Sequence, residues 1–291
     1  MKEPTIIPAH DHYVNRVLFT ADGQTLLSAG LDNVIKLWNV PSWDLVQTLR
    51  GHEKSVNSLA LSPDGTILAS GSTDKTVRLW SFSTRELLAT LKGHKNTVSC
   101  VAISPTGELL ASSSYDSTVR LWTLESRQEL AVGRKHKKNV SAVAFAPDGK
   151  ALLSGGLGDE ILLWSVPDLE VIGKLPGHKV AVGWLTFSPE GSYLGSTGYD
   201  QTWKLWSVQD WELVRSVELP ANAFPLSFSP DAKVVAVGVD YHVLLYAVDD
   251  GRPMEDLPVG AKGVYSVAFS PDGRWLACGS ADKKIRVWEL A

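Results

Sequence analysis

Residues 52–91 read HEKSVNSLALSPDGTILASGSTDKTVRLWSFSTRELLATL, and four short runs can be marked off in them. Val56 to Leu61 alternates into a turn at Pro63, Asp64 and Gly65. Ile67 to Ser70 leads to a second turn at Asp74, and Thr76 to Trp80 and Glu86 to Leu91 follow. The runs favour β-branched or aromatic residues and are bounded by Gly, Pro, Asp or Ser, which predicts short antiparallel strands joined as a meander. No segment of the chain carries apolar residues at i, i+3, i+4 and i+7 over the length a helix needs, so almost no helix is expected.

The same unit recurs along the whole chain. Trp38, Trp80, Trp122, Trp164 and Trp206 stand 42 residues apart, Tyr246 follows Trp206 by 40, and Trp288 follows Tyr246 by 42. Five histidines, His10, His52, His94, His136 and His178, each precede their Trp by 28 residues. A fixed period of this length is the signature of a repeat architecture. Seven units fill the 291 residues and leave no room for a second domain, so residues 1–291 are expected to form one. A lone four-stranded sheet that is apolar on both faces cannot cover either, so each must pack on two neighbours until a ring closes. The expected fold is therefore all-β, a single seven-bladed β-propeller of four-stranded antiparallel blades.

Composition narrows the function. Lys and Arg total 28 against 32 Asp and Glu, a formal charge of −4, which lacks the basic excess of a chain built to hold phosphate backbones. No nucleic-acid partner is expected. The two cysteines, Cys100 and Cys278, lie in apolar strand-like runs and offer neither a disulfide framework nor metal-ligand spacing, which points to a reducing, cytoplasmic setting. No apolar stretch has the length of a signal core or a membrane span, so neither export nor membrane attachment is expected.

Segments such as LASGSTDKTVRLW (residues 68–80) and GHKNTVSCVAISPTG (residues 93–107) resemble the WD-repeat (WD40) family, and the resemblance runs over the entire chain. One departure is that the Asp expected after each Trp is replaced by Asn39, Ser81, Thr123, Ser165, Ser207, Ala247 and Glu289. The chain ends at the third strand of its last unit and begins with an orphan strand at Thr5, Ile6 and Ile7. The resemblance implies that this N-terminal strand, within residues 3–9, completes the last blade, residues 263–291, and latches a monomeric ring.

Four units carry a complete set of Ser, His, Asp and Trp: His10, Ser28, Asp32, Trp38; His52, Ser70, Asp74, Trp80; His94, Ser112, Asp116, Trp122; and His178, Ser196, Asp200, Trp206. A hydrolytic triad needs an exposed nucleophile and an oxyanion hole, and catalysis does not need four copies ending at an indole. The resemblance implies instead a hydrogen-bonded chain from Trp through Ser and His to Asp that pins each blade, with no catalytic residue, no metal and no cofactor. Basic residues two before the Trp (Lys36, Arg78, Arg120, Lys204, Arg286) are expected on a solvated rim. Trp184 and Trp203 stand where other units have small or β-branched residues, and inter-sheet packing is the expected cause. The fourth unit has Gly158 in place of Asp, with Asp159 displaced by one. The seventh has Gly260 and Cys278 for His and Ser. The sixth lacks the His, has Val237 and Tyr246 for Ser and Trp, and carries Pro220 and Pro225 around its first strand. Whether the sixth is decayed or functional stays open.

By the same resemblance, a protein or peptide partner would dock on the channel face, using the residues three and five after the His and the one before the turn Asp. Those positions include Tyr13, Asn15, Asn57, Tyr115, Tyr199, Asn222, Phe224, Val239 and Tyr265, and none of the set is charged. The aromatics of units five, six, seven and one are expected to form an arc facing a polar arc of Ser, Thr and Asn. Two classes stay open: a noncatalytic interaction scaffold, which leads, and an enzyme or small-ligand binder that uses the central channel.

Overall fold

A computed structural model describes residues 3–158, 160–260 and 263–290. Among the described residues all 28 elements are strands, gathered into seven antiparallel four-stranded sheets. In the first six blades the chain runs from the channel outward, as in Val14–Phe19, Thr25–Gly30, Ile35–Asn39 and Leu45–Leu49 of blade one. The inner strands of neighbouring blades touch one another all the way round, the seventh, Val264–Phe269, meeting the first, Val14–Phe19.

The seventh sheet is completed by the N-terminus. Thr5–Pro8 pairs antiparallel with Lys284–Glu289, in the register Thr5 with Val287 and Ile7 with Ile285. Ile7 enters the buried cluster of Ala277, Ile285 and Val287 with Val14, Val17 and Trp38 of blade one. The ring is thus latched as the termini suggest.

The apolar core lies between blades. Leu27, Ala29, Ile35 and Leu37 of blade one pack on Leu59, Leu68 and Trp80 of blade two, and analogous clusters fill the other gaps. Each Trp therefore serves the preceding blade as much as its own. Trp203 is fully buried in the gap between blades five and six, 5.9 Å from the Tyr246 ring, as inter-sheet packing predicts.

Blade six is packed rather than eroded. Val237 and Tyr246 replace the polar pair by apolar contacts with Trp203 and Leu226. Pro225 fills the space beside Gly238, where a Cβ would come within 2.5 Å of the Pro225 ring. The loop beside it is held too, since the Thr197 hydroxyl donates to the Phe224 carbonyl at 2.7 Å.

Inner strands carry a feature that alternation in one sequence does not show. In each blade the pairing of first and second strands shifts just after its first residue, skipping Asn15, Asn57, Ser99, Ser141, Gly183, the pair Phe224 and Pro225, and Tyr265. A bulge leaves its extra residue out of the ladder and re-aims the side chains around it. Removing residues 1–9 is expected to lower stability by about 2–4 kcal/mol through lost ladder bonds and buried isoleucine. Thermal melting checks this, and an unchanged melting temperature would mean that the seventh sheet does not depend on the N-terminal strand.

Candidate functional site

The Ser, His, Asp and Trp sets are brought together in all four complete blades. In blade two the Trp80 indole N–H donates to Ser70 Oγ at 2.9 Å, Ser70 Oγ lies 2.8 Å from His52 Nε2, and His52 Nδ1 lies 2.7 Å from Asp74. The Glu53 backbone N–H donates to the same carboxylate at 3.1 Å. One assignment satisfies every atom: the indole donates to the hydroxyl, the hydroxyl to a neutral imidazole, and the imidazole Nδ1–H to the carboxylate. Trp38, Ser28, His10 and Asp32 repeat it, as do Trp122, Ser112, His94 and Asp116, and Trp206, Ser196, His178 and Asp200. The four serines are wholly buried, each closed between indole and imidazole, so no substrate reaches their hydroxyls.

The carboxylates of these chains are held ionised. Burial alone would raise Asp74 and Asp116, but hydrogen bonds from His52 and Thr76, and from His94 and Thr118, outweigh it and hold both below the usual range. Asp32 and Asp200 shift the same way. Blade four keeps Trp164, Ser154 and His136, with Ser154 Oγ 2.7 Å from His136 Nε2, but Asp159 lies outside the described residues. Burial lowers His136 to about 4.

In blade seven Arg286 takes over. With Gly260 for the imidazole and Cys278 for the hydroxyl, the guanidinium bonds Asp282 at 2.7 Å and Ser280 at 3.1 Å. This corrects the solvated-rim expectation. Arg120, Lys204 and Arg286 are buried, Lys36 donates to the Ala9 carbonyl at 2.6 Å, and Arg120 pairs with Glu129. Long basic side chains lie along the blades, where Lys36 Nζ sits 6.0 Å from the Trp38 ring.

The channel-face positions are adjacent in space in six blades. The backbone N–H before each turn Asp donates to the carbonyl three after the His: Leu31 to Tyr13, Thr73 to Ser55, Tyr115 to Thr97, Leu157 to Asn139, Tyr199 to Ala181 and Ala281 to Gly263. Blade six departs, because Val239 pairs with both Ala223 and His242 across a two-residue turn. Val239 is therefore buried, and both residues of that turn, Asp240 and Tyr241, are exposed, because the turn is shorter than in the other units.

Two aromatic pairs form across blade boundaries. Tyr13 of blade one lies 5.7 Å from Tyr265 of blade seven, and Tyr199 of blade five meets Phe224 of blade six edge-on at 4.8 Å. Burial, and to a smaller degree Tyr115, raises the Tyr199 phenol above its ordinary value. Asn15 and Asn57 donate to the Val56 and Val98 carbonyls of the next blade at 3.0 and 2.9 Å, and the Ser99 hydroxyl donates to Val140 at 2.6 Å. These amides and this hydroxyl tie blades together, while Asn222 sits half-buried before the sixth inner strand.

In blades one, three, four and five the residue following the bulge, Arg16, Cys100, Ala142 and Trp184, lines the channel cavity, a placement that strand alternation did not reveal. Arg16 of blade one reaches Trp184 of blade five, its guanidinium carbon 4.3 Å from the ring centroid. Trp184 is thus not only inter-sheet filler. The signal was present in the column Arg16, Ser58, Cys100, Ala142, Trp184 and Ser266, where two large residues stand among small ones.

A closed ring of seven four-stranded blades, pinned by repeated Trp, Ser, His and Asp chains, defines a seven-bladed β-propeller. The chain belongs to the WD40 family, whose "WD domain, G-beta repeat" matches residues 1–39, 43–81, 85–123, 127–165, 169–207 and 253–289. The unmatched stretch falls on blade six. Over 71 residues, 24% of its length, the chain is 35% identical to "Intraflagellar transport protein 122 homolog" of Xenopus tropicalis, covering 6% of that protein. It is 34% identical over 77 residues, 26% of its length, to "Serine-threonine kinase receptor-associated protein" of Bos taurus, covering 22% of that protein. It is also 34% identical over 67 residues, 22% of its length, to "Target of rapamycin complex subunit wat1" of Schizosaccharomyces pombe, covering 21% of that protein.

Ser70→Ala is expected to cost about 1–3 kcal/mol by leaving the buried indole and imidazole without their shared partner. Denaturant unfolding measures the loss, and labelling of Ser70 by a fluorophosphonate would contradict the structural role. His136 makes a pH prediction. Its folded value near 4 lies below the ordinary 6.5, so its contribution is complete above about 6.5 and is lost as pH falls toward 4, amounting to about 1–3 kcal/mol. Titration of the His136 ring by NMR is expected to give a midpoint near 4, and a midpoint near 6.5 would contradict its burial.

Proposed function

We propose that the protein is a noncatalytic scaffold that binds a protein or peptide partner on the channel face, over blades five, six, seven and one. The observation that carries this reading is the pairing of Tyr13 with Tyr265 and of Tyr199 with Phe224 at blade boundaries. Aromatics held in place by neighbours present large apolar area at little entropic cost, and such residues dominate binding energy when buried at an interface centre. Tyr115, Leu157 and Tyr241 extend the apolar surface with exposed side chains. Asn222 lies beside Phe224 and supplies a polar edge. Asn15 and Asn57 belong to this face as residues that set its shape, since their donors serve the neighbouring blade. The ring acts as a monomer in this reading, and its two free cysteines suit a reducing, cytoplasmic setting.

Relatives named as a subunit of a complex and as a receptor-associated protein lend the same class of role. The test is capture of partners on the intact chain, followed by affinity measurement on two variants. Phe224→Ala with Tyr265→Ala is expected to weaken binding by about 2 kcal/mol or more, whereas Val46→Ser with Ile172→Ser, exposed on outer strands, leaves it unchanged. Equal losses, or a larger loss from the outer pair, would move the partner off the channel face.

A further inference from the structure

The channel holds a cation, Arg16, that has no carboxylate partner among the described residues. The Arg16 side chain forms no ion pair or hydrogen bond among the described residues, and its Nε is buried without an acceptor. Burial pushes the guanidinium below its ordinary value, with a smaller opposing influence from Cys100. A partly buried cation is stabilised by an opposite charge, and no carboxylate among the described residues is ion-paired with this one.

Beside Arg16 lies a cavity of about 740 Å³, running from the Arg16 and Trp184 pair along the inner strands to the turns at Thr20, Ser62 and Ser104. Leu18, Ala60, Ala102 and Ala144 give it apolar walls, with Thr186 and Cys100 as weakly polar positions. A concave, largely apolar space with a few placed polar groups is the usual form of a small-molecule site. We propose that this cavity binds a small organic monocarboxylate with an apolar body, its carboxylate bridging the edge of the Arg16 guanidinium and its body lying against the alanine walls.

Three features select that chemistry. Trp184 covers a face of the guanidinium, which leaves the in-plane N–H fork for an acceptor, and a fork matches the two oxygens of a carboxylate. The walls offer an anion no second cation, so a single negative charge suffices. Asp22 and Asp64 stand at the turn end of the cavity, and hydrogen bonds from Thr20 and Ser62 hold their carboxyls below the usual range. Fixed negative charge there disfavours polyanions such as nucleic acid or an acidic peptide. The site opens among the turns, away from the aromatic loop face, and does not depend on the partner reading.

Octanoate titrated calorimetrically into the full chain is the probe, with octanol as the uncharged counterpart. Octanoate is expected to bind, Arg16→Leu to weaken it by about tenfold or more, and Arg16→Lys to keep part of the affinity by retaining charge without the fork. Because Cys278 is buried with its thiol pushed up to about 12, maleimide reads Cys100 in the wall, and octanoate is expected to slow that alkylation in the wild-type chain alone. Should Arg16→Leu fail to fold, the contrast of octanoate with octanol and the protection of Cys100 in the wild-type chain still decide the matter. Absence of octanoate binding, equal affinity for octanol, equal affinity in a folded Arg16→Leu, or binding that leaves Cys100 unprotected would each overturn the proposal.

Discussion

Every blade is a four-stranded sheet with apolar side chains on both faces, and that surplus of apolar surface is what the ring exists to cover. Each gap is filled by one cluster drawn from two blades, with the Trp of one blade packed on strands of the one before. No blade can therefore be stable with an open flank, and the strand Thr5–Pro8 matters because it removes the last seam. The hydrogen-bonded chains are secondary to this. They let buried indoles, hydroxyls and imidazoles sit in the gaps without unsatisfied donors, and they fix the loops that form the channel face.

The irregular blades show how the polar chain can be replaced while the packing is kept. Blade seven substitutes one charged pair, Arg286 with Asp282, for an imidazole and a hydroxyl. Blade six lacks the imidazole and the hydroxyl and fills their place with Val237, Tyr246 and the blade-five Trp203, leaving the Trp203 indole N–H buried without an acceptor. A functional consequence follows, because the shortened turn that accompanies this repacking buries Val239 and exposes Tyr241 on the proposed binding face.

Much of this was legible in the sequence, since a 42-residue Trp period can only be met by repeated units and the fixed His, Ser and Asp spacing follows from the chain linking them. What escaped were features in which one extra residue changes direction without disturbing composition. A bulge after Val14 leaves the alternation of its strand looking ordinary, yet it sends Asn15 to the next blade and Arg16 into the channel. The basic residues before each Trp misled for a related reason: a Lys or Arg reads as solvated until its stem is seen lying along a neighbouring ring. Position on the channel face was readable from the period, but which of those side chains is spent on the adjacent blade was not, because that depends on contacts between units.

If closure governs stability, the ring opens as one cooperative unit, and blades without the polar chain are as protected as those with it. Native-state hydrogen exchange on the second strand of each blade measures this directly. The account predicts that Val234–Val239 of blade six and Trp275–Ser280 of blade seven exchange with the same opening free energy as Ile67–Ser72 of blade two. Separate, faster opening of blades six and seven while the others stay protected would contradict it, and would assign the stability of each blade to its own hydrogen-bonded chain.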